Sequence, residues 1–312
     1  MTTKHLIVNT EQVQQFARMN NSVLKNSFLP YEPEAREKYL VKYLGDTLHE
    51  QLLDYSKNEA IPPFADTDVK KDLFRKLHFL AQAVTAKFTL YIAAPHLDLH
   101  LSELGFVVTM NQNSAPASTA RVEAATKALL EQGYSAIETL LKFLEKHHEQ
   151  IASYKDSEAH VISKKNFIRS ASDFENFVKI GGSRYRFIEE IQPEMDNVEI
   201  TTIEPMISKA LAEKLKETPP EKNSKAAELL DIIKRAIANT VEGSLVDDKL
   251  EPRKAQTLTF YGKHFMSEIK KHLEANADVY PEYKTSSSYV AKHTYEHRDN
   301  TDAKMFVFGS GS

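Results

Sequence analysis

Two pairs of histidines stand at a spacing that suits a metal ion: His96 and His100 in HLDLH, and His293 and His297 in HTYEH. Side chains four apart share one face of an α-helix, and zinc hydrolases use such pairs with a glutamate after the first histidine as base. Here the first pair follows Pro95, the second falls in a polar, Ser-rich stretch, and HTYEH has Thr294 where the glutamate belongs. Both pairs therefore read as solvated or packing histidines. His147–His148 reads as a helix C-terminal pair favoured by the helix dipole. The adjacent carboxylates Glu189–Glu190 suit a solvated face better than an acid–base couple. With no cysteine, thiol catalysis, disulfides and iron–sulfur clusters are excluded, and the chain suits a reducing cytoplasm. There is no G-x-S-x-G, Walker or G-x-G-x-x-G motif, and only nine glycines and no tryptophan. The expectation is a protein with no catalytic residues, no metal and no cofactor, and so not an enzyme.

The 312 residues, 41% hydrophobic and 27% charged, are enough for two domains that each bury a core. The opening MTTKHLIVNTEQ is too short in its apolar run for a signal peptide, and no stretch approaches the ~20 apolar residues that span a bilayer. Acids and bases are mixed, with a formal net charge of −4 and no basic stripe of the kind that grips nucleic acid.

The elements are mostly helical. Asn9 with Gln12 marks a helix start, and Leu40, Leu44, Leu48 and Leu52 recur on one face. The run KKDLFRKLHFLAQAVTAKFTLYIAA is apolar on nearly every side, as in a helix buried all round. Residues 104–110, LGFVVTM, predict a strand or hairpin arm in an insertion over 104–118. A long helix capped at Ser118 or Thr119 follows, with a kink expected at Gly133. The order then repeats. Leu40, Leu44, Leu48 and Leu52 fall on Ile203, Ile207, Leu211 and Leu215, 163 positions on. Leu80, Ala81, Val84 and Phe88 fall on Ile237, Ala238, Val241 and Leu245, 157 on. FLEKHHEQIASYKDS (143–157) falls on HLEANADVYPEYKTS (272–286), 129 on. Pro205, inside one such helix, predicts a break there and two short helices over 34–55. The pattern predicts a mainly α fold: a tandem duplication of a helical module, with short β-strands or hairpin arms at module ends. The modules are set at 1–172 and 173–312.

DAKMFVFGSGS at 302–312 aligns with DFENFVKIGGS at 173–183, and a similar apolar run opens the chain. Leu6, Ile7 and Val8 at the front, Phe177, Val178 and Ile180 at the junction, and Phe306, Val307 and Phe308 at the back thus form three strand stubs. The outer two lack an obvious partner in cis, and strand addition to a neighbour is the expected remedy. These nine residues are the expected subunit contacts, joining copies head to tail into a ring or filament.

The Tyr-Lys-x-Ser phrase after a long helix, the block YLVKYLGDTLHEQLL and the SAPAS–helix–LLKFLE stretch together resemble an uncharacterised family of Bacteroidota phages and prophages. Its members are similar to head–tail connector (neck adaptor) proteins of tailed phages. The resemblance covers residues 24–286 and implies a structural virion protein, assembled in the bacterial cytoplasm and located in the neck of the virion. It implies a homo-oligomeric ring of twelve, or of six if each duplicated chain supplies two modules. The ring would contact the portal and the tail or other neck proteins, and DNA would pass through its lumen without sequence recognition. No membrane partner is expected. The alternatives are another neck or tail ring (a stopper or tail-completion protein) and a non-viral helical-repeat scaffold.

Overall fold

The computed structural model describes all residues except 1–3, 8, 18–26, 97–98, 103–104, 109–117, 181–183, 219, 248 and 294–312. The fold is mainly α, as the apolar periodicity leads one to expect. The first half runs α1 (Thr10–Gln14), α2 (Glu32–Tyr39), α3 (Val41–Leu44), α4 (Asp46–Asn58) and α5 (Asp68–Ala93). A hairpin follows, β1 (Leu99–Ser102) against β2 (Gly105–Val108), antiparallel with Leu99 opposite Val108. Then come α6 (Thr119–His147), α7 (Ala152–Lys155) and α8 (Glu158–Ser163). The second half runs α9 (Ala171–Phe174), α10 (Arg184–Arg186), α11 (Gln192–Val198), α12 (Glu204–Ile207), α13 (Lys209–Glu217), α14 (Lys225–Leu245), α15 (Pro252–Ala275), α16 (Pro281–Lys284) and α17 (Ser287–His293).

Two of the long helices start where a side chain satisfies a free N–H: Thr67 accepts from Lys70 N ahead of α5, and Ser224 from Ala227 N ahead of α14, whereas Ser118 ahead of α6 and Glu251 ahead of α15 make no such bond. Along α5 the buried positions include Leu73, Phe74, Leu77, Ala81, Val84 and Phe88, which pack on α2 and α6. Burying one such leucine or phenylalanine contributes roughly 1.5–3 kcal/mol. The helix is not covered all round: Val69 and Phe79 stay exposed on its outer edge.

Gly133 does not break α6, which runs unbroken from Thr119 to His147. A Cβ at Gly133 would stand 2.7 Å from the Phe88 ring, so the glycine lets α6 close on α5. Nor does the chain break at Pro205. Arg184 to Ile207 is one helical run in which π turns at Phe187–Ile191 and Glu199–Ile203 precede Pro193 and Pro205. Proline clashes with the carbonyl four residues back, and those carbonyls, of Glu189 and Thr201, lie inside the two wide turns. The break comes three residues after Pro205, at Ser208 (φ 80, ψ 146). In the first half it falls at Gly45 (φ 77, ψ 156), so two separate helices, α3 and α4, occupy the 34–55 region after α2.

There are two main cores. One draws on residues from Leu6 to Ala159, the other on residues from Phe167 to Tyr283, with a small satellite of Ile7, Val13, Phe28, Ala86, Leu90 and Ala93 beside the first. The division therefore falls between Ala159 and Phe167. A boundary at 172 cuts through the segment that opens the second core, because Phe167, Ile168 and Ala171 are buried there.

The two halves share local geometry at fixed separations. Gly45 and Ser208 stand 163 apart with nearly the same φ and ψ. The turn His148–Gln150 and helix Ala152–Lys155 have counterparts in Ala277–Val279 and Pro281–Lys284, each 129 on. Lys155 pairs with Glu149 at 2.6 Å, and their counterparts Lys284 and Asp278 also pair. The lead-in segments match too, at 161: Asn9 caps α1 as Ser170 caps α9, and Val13 and Phe174 are both fully buried. The Leu6 N–H donates to buried Glu32 at 2.9 Å, and the Phe167 N–H to buried Glu199 at 2.9 Å.

Candidate functional site at the module junction

The expected contact residues are placed as follows. Leu6 and Ile7 are 0% and 1% exposed, in irregular backbone rather than a strand, and pack within their own chain. Gln82 Nε2 donates to the Leu6 carbonyl at 2.8 Å. This corrects the reading of Leu6 and Ile7 as part of a strand awaiting a neighbour: both side chains and the Leu6 carbonyl are already used in cis. Val178 and Ile180 are likewise buried in the second core, and Phe177 packs against it with the Arg235 guanidinium 5.5 Å from its ring. None of the three is in a strand, and Val178 and Ile180 are already buried in cis. Val8 and Phe306, Val307 and Phe308 lie outside the described residues.

Of the histidine pairs, His96 ends a 3-10 turn and stacks on Tyr31 while His100 is on β1. His293 ends α17 near Glu274, 3.1 Å away, and His297 lies outside the described residues. Among the described residues no three His, Asp or Glu side chains gather where a metal could sit.

What the structure does bring together is a cleft of about 800 Å³ between the halves. It is walled by α3, α6 and α8 on one side and by the helical run from Arg184 on the other, with Leu141, Ile162, Phe187 and Ile188 among its apolar lining. Along α6, Tyr134, Glu138, Leu141 and Glu145 share the face turned to the second half. Glu138 is 8% exposed and carries much of the polar load. Its carboxylate accepts from Arg184 Nε at 2.6 Å, Lys142 Nζ at 2.9 Å, the Ser172 hydroxyl at 2.8 Å and the Ser172 N–H at 3.2 Å. Burial pushes this carboxyl up, but Lys142, Ser172 and Arg184 together hold it below the usual value. The Tyr134 hydroxyl donates to Glu189 at 2.7 Å, and burial, reinforced by that carboxylate, drives it far above the ordinary phenol value. Arg169 joins Glu145, at 2.6 Å, to the Lys216 carbonyl. Lys165 pairs with Asp196 across the cleft.

These groups are engaged with one another. A carboxylate holding four donors is no free base, and a tyrosine raised so far is no acid near neutrality. Their effect is to lock the halves together across a partly dry contact, where charge-assisted bonds are strongest. Two polar groups in the cleft have no partner among the described residues: the Tyr43 hydroxyl and Asn166 Nδ2, the latter on a residue 4% exposed. Glu138 and Glu145 stand beside the apolar positions Ile137, Leu140 and Leu144 of α6, and the apolar periodicity does not single them out. Their partners Arg184 and Arg169 could not be found by periodicity, because they lie across a tertiary contact.

No curated protein and no solved structure matches the chain. One family model, that of a family of unknown function (DUF6712), matches residues 40–162 and 255–292. The first stretch runs from just before α3 into α8, and the second from α15 into α17, so both close on the Tyr-Lys-x-Ser turn and the helix after it. The match spans half of the sequence, and the chain belongs to the DUF6712 family.

Proposed function

We propose that this chain is a structural, non-catalytic virion subunit, a doubled helical module that forms a head–tail connector ring between portal and tail of a phage. The observation that supports a doubled building block is the recurrence of one backbone plan at fixed separations, above all Gly45 and Ser208 in the same unusual conformation. Two quasi-equivalent modules in one polypeptide suit an assembly in which each chain supplies two positions of a closed ring. Placement in the neck rests on the resemblance carried by YLVKYLGDTLHEQLL and the Tyr-Lys-x-Ser phrases. A formal net charge of −4 suits a lumen that lets DNA slide rather than neutralising its phosphates.

Native mass spectrometry and electron microscopy of the purified chain, alone and with portal, test this. The expected result is a ring of six or twelve copies that co-purifies with portal. A monomer at micromolar concentration with portal present overturns it. Capture by tail tube in place of portal moves the assignment to a stopper or tail-completion ring.

A further inference from the structure

Two donors and two cations in the junction cleft are unmatched. Tyr43 and Asn166 both line it, and the Tyr43 hydroxyl and Asn166 Nδ2 are buried with no hydrogen-bond partner among the described residues. The amide nitrogen can only donate, and burial raises the Tyr43 phenol above its ordinary value, so the hydroxyl keeps its proton. Six cationic side chains line the cleft against four acids, a positive excess in a chain whose formal net charge is −4. All four acids are engaged: Glu138 with Arg184 and Lys142, Glu145 with Arg169, Glu189 with Tyr134 and Asp196 with Lys165. That leaves Lys42 and Lys146, both exposed, as the lining cations with no acidic partner among the described residues. The module plan does not call for these groups. At the separations that relate the halves, Lys42 and Tyr43 fall on Pro205 and Met206, Lys146 on Ala275, and Asn166 on His5. Met206 packs against the second core, and His5 meets Glu32 at 2.8 Å, whereas Asn166 Nδ2 meets nothing. A buried donor without a partner destabilises a fold. Donors set into a cleft where the other module has satisfied or apolar groups therefore point to something bound there.

We infer that the junction cleft binds an apolar chain that ends in a carboxylate. The chain lies on Leu141, Ile162, Phe187 and Ile188, and the oxygens accept from Tyr43 and Asn166 under the positive charge of Lys42 and Lys146. At about 800 Å³, with mainly apolar walls and a few polar groups, the cleft has the size and make-up of a small-ligand site. The Tyr43 hydroxyl and Asn166 Nδ2 are covered by the cleft's own side chains, which change rotamer as the ligand enters. Chemistry chooses the class. Two donors call for acceptors and reject an amine, and two unpaired cations favour an anion. Apolar walls reject a small hydrated anion such as phosphate. A fatty acid and the C-terminus of an apolar peptide both offer this combination of chain and carboxylate. The site lies within one chain, so it requires no ring, portal or neighbouring copy.

Isothermal titration calorimetry of the full chain with decanoate below its micelle concentration tests this. Decanol and decylamine serve as chains without a carboxylate, and an apolar hexapeptide is compared as free acid and as C-terminal amide. Decanoate or the free-acid peptide is expected to bind once per chain, and whichever does so names the source. The alcohol, amine and amide are expected to bind about tenfold more weakly or worse. Lys42→Gln/Lys146→Gln is expected to weaken binding about tenfold with the far-UV circular dichroism unchanged, since both side chains are exposed. Tyr43→Phe and Asn166→Leu separate a ligand role from a packing role. Each removes a donor that lacks a partner, so each should weaken binding about fivefold or more while the urea midpoint without ligand stays level or rises. Midpoints that fall with affinity unchanged assign both groups to packing and overturn the site. Failure of both carboxylates to bind overturns it too, as does decanol binding as tightly as decanoate. A ring that captures portal while neither carboxylate binds removes this site and leaves the connector reading standing.

Discussion

Ser208 holds a backbone conformation that its counterpart Gly45 occupies freely (φ 80, ψ 146 against φ 77, ψ 156). A side chain in that region costs about 1–3 kcal/mol. The serine offsets part of this by accepting from Leu211 N at 3.3 Å and donating to the Glu282 carbonyl at 3.1 Å. Ser208→Gly is therefore expected to raise stability by roughly 0.5–1.5 kcal/mol in urea unfolding. Gly45→Ala should lower it by about 1–3 kcal/mol, because the new Cβ is strained and meets Ser157 Cβ at 3.0 Å. Shifts of the same sign in both variants would contradict the equivalence of the two breaks. His78 carries a second residue-scale prediction. Burial lowers its pKa from the ordinary 6.5 to about 4, and its Nε2 lies 2.6 Å from the Ser56 hydroxyl. A histidine depressed in the folded state adds stability that is full above pH 6.5 and is lost as pH falls toward 4, because only the unfolded chain takes up the proton in that window. The loss is up to about 3 kcal/mol at 1.36 kcal/mol per pH unit. Urea midpoints across that range should fall less steeply in His78→Gln. Burial lowers His49, His160 and His272 in the same direction, so the variant flattens the slope without abolishing it.

At the scale of elements, each core is closed by a lead-in segment whose N–H is received by a buried glutamate, Glu32 in one half and Glu199 in the other. The two acids lie one helical turn apart in the alignment, since Glu32 corresponds to Met195. The same task is thus met from neighbouring turns of the same run. Leu6→Ala is expected to cost about 2–5 kcal/mol, the usual loss for a fully buried leucine, and to lower the thermal midpoint. Were the segment instead a strand for a neighbouring copy, Leu6→Ala would leave the monomer's midpoint unchanged and weaken association. The π turns ahead of Pro193 and Pro205 belong to this scale as well. They let a helix continue through residues that would ordinarily stop it, which moves the break from Pro205 to Ser208.

For the whole molecule, two cores joined by a polar contact predict two cooperative units. Native-state hydrogen exchange should place α5 and α6 in one unit and α14 and α15 in the other, with residues 167–174 exchanging with the second. Arg184→Ala removes one of the partners of buried Glu138, held at 2.6 Å, while Lys142 and Ser172 remain, and is expected to cost about 1–3 kcal/mol. It should also separate the two unfolding transitions further. A single transition in both proteins, with no change in midpoint, would mean that the junction does not couple the halves through this pair.

Helical class, the positions of α5 and α6 and the recurrence of one apolar pattern at separations of 163, 157 and 129 follow from the sequence alone, because a 3.6-residue period is a local property of the chain. The strand pairing Leu99–Ser102 with Gly105–Val108 extends the arm expected at 104–110 to its local partner. Three things were decided only by tertiary packing. The Phe88 ring makes Gly133 a close-packing residue rather than a kink. The cores claim Leu6 and Ile7 of the front stub, which read as an orphan strand while their partners were out of sight, and Val178 and Ile180 of the junction stub. The junction sets Glu138 against Arg184 across 46 positions of chain. An apolar run or a lone acid states what it needs but not which distant segment will meet that need, and only the folded arrangement of the two halves supplies the answer.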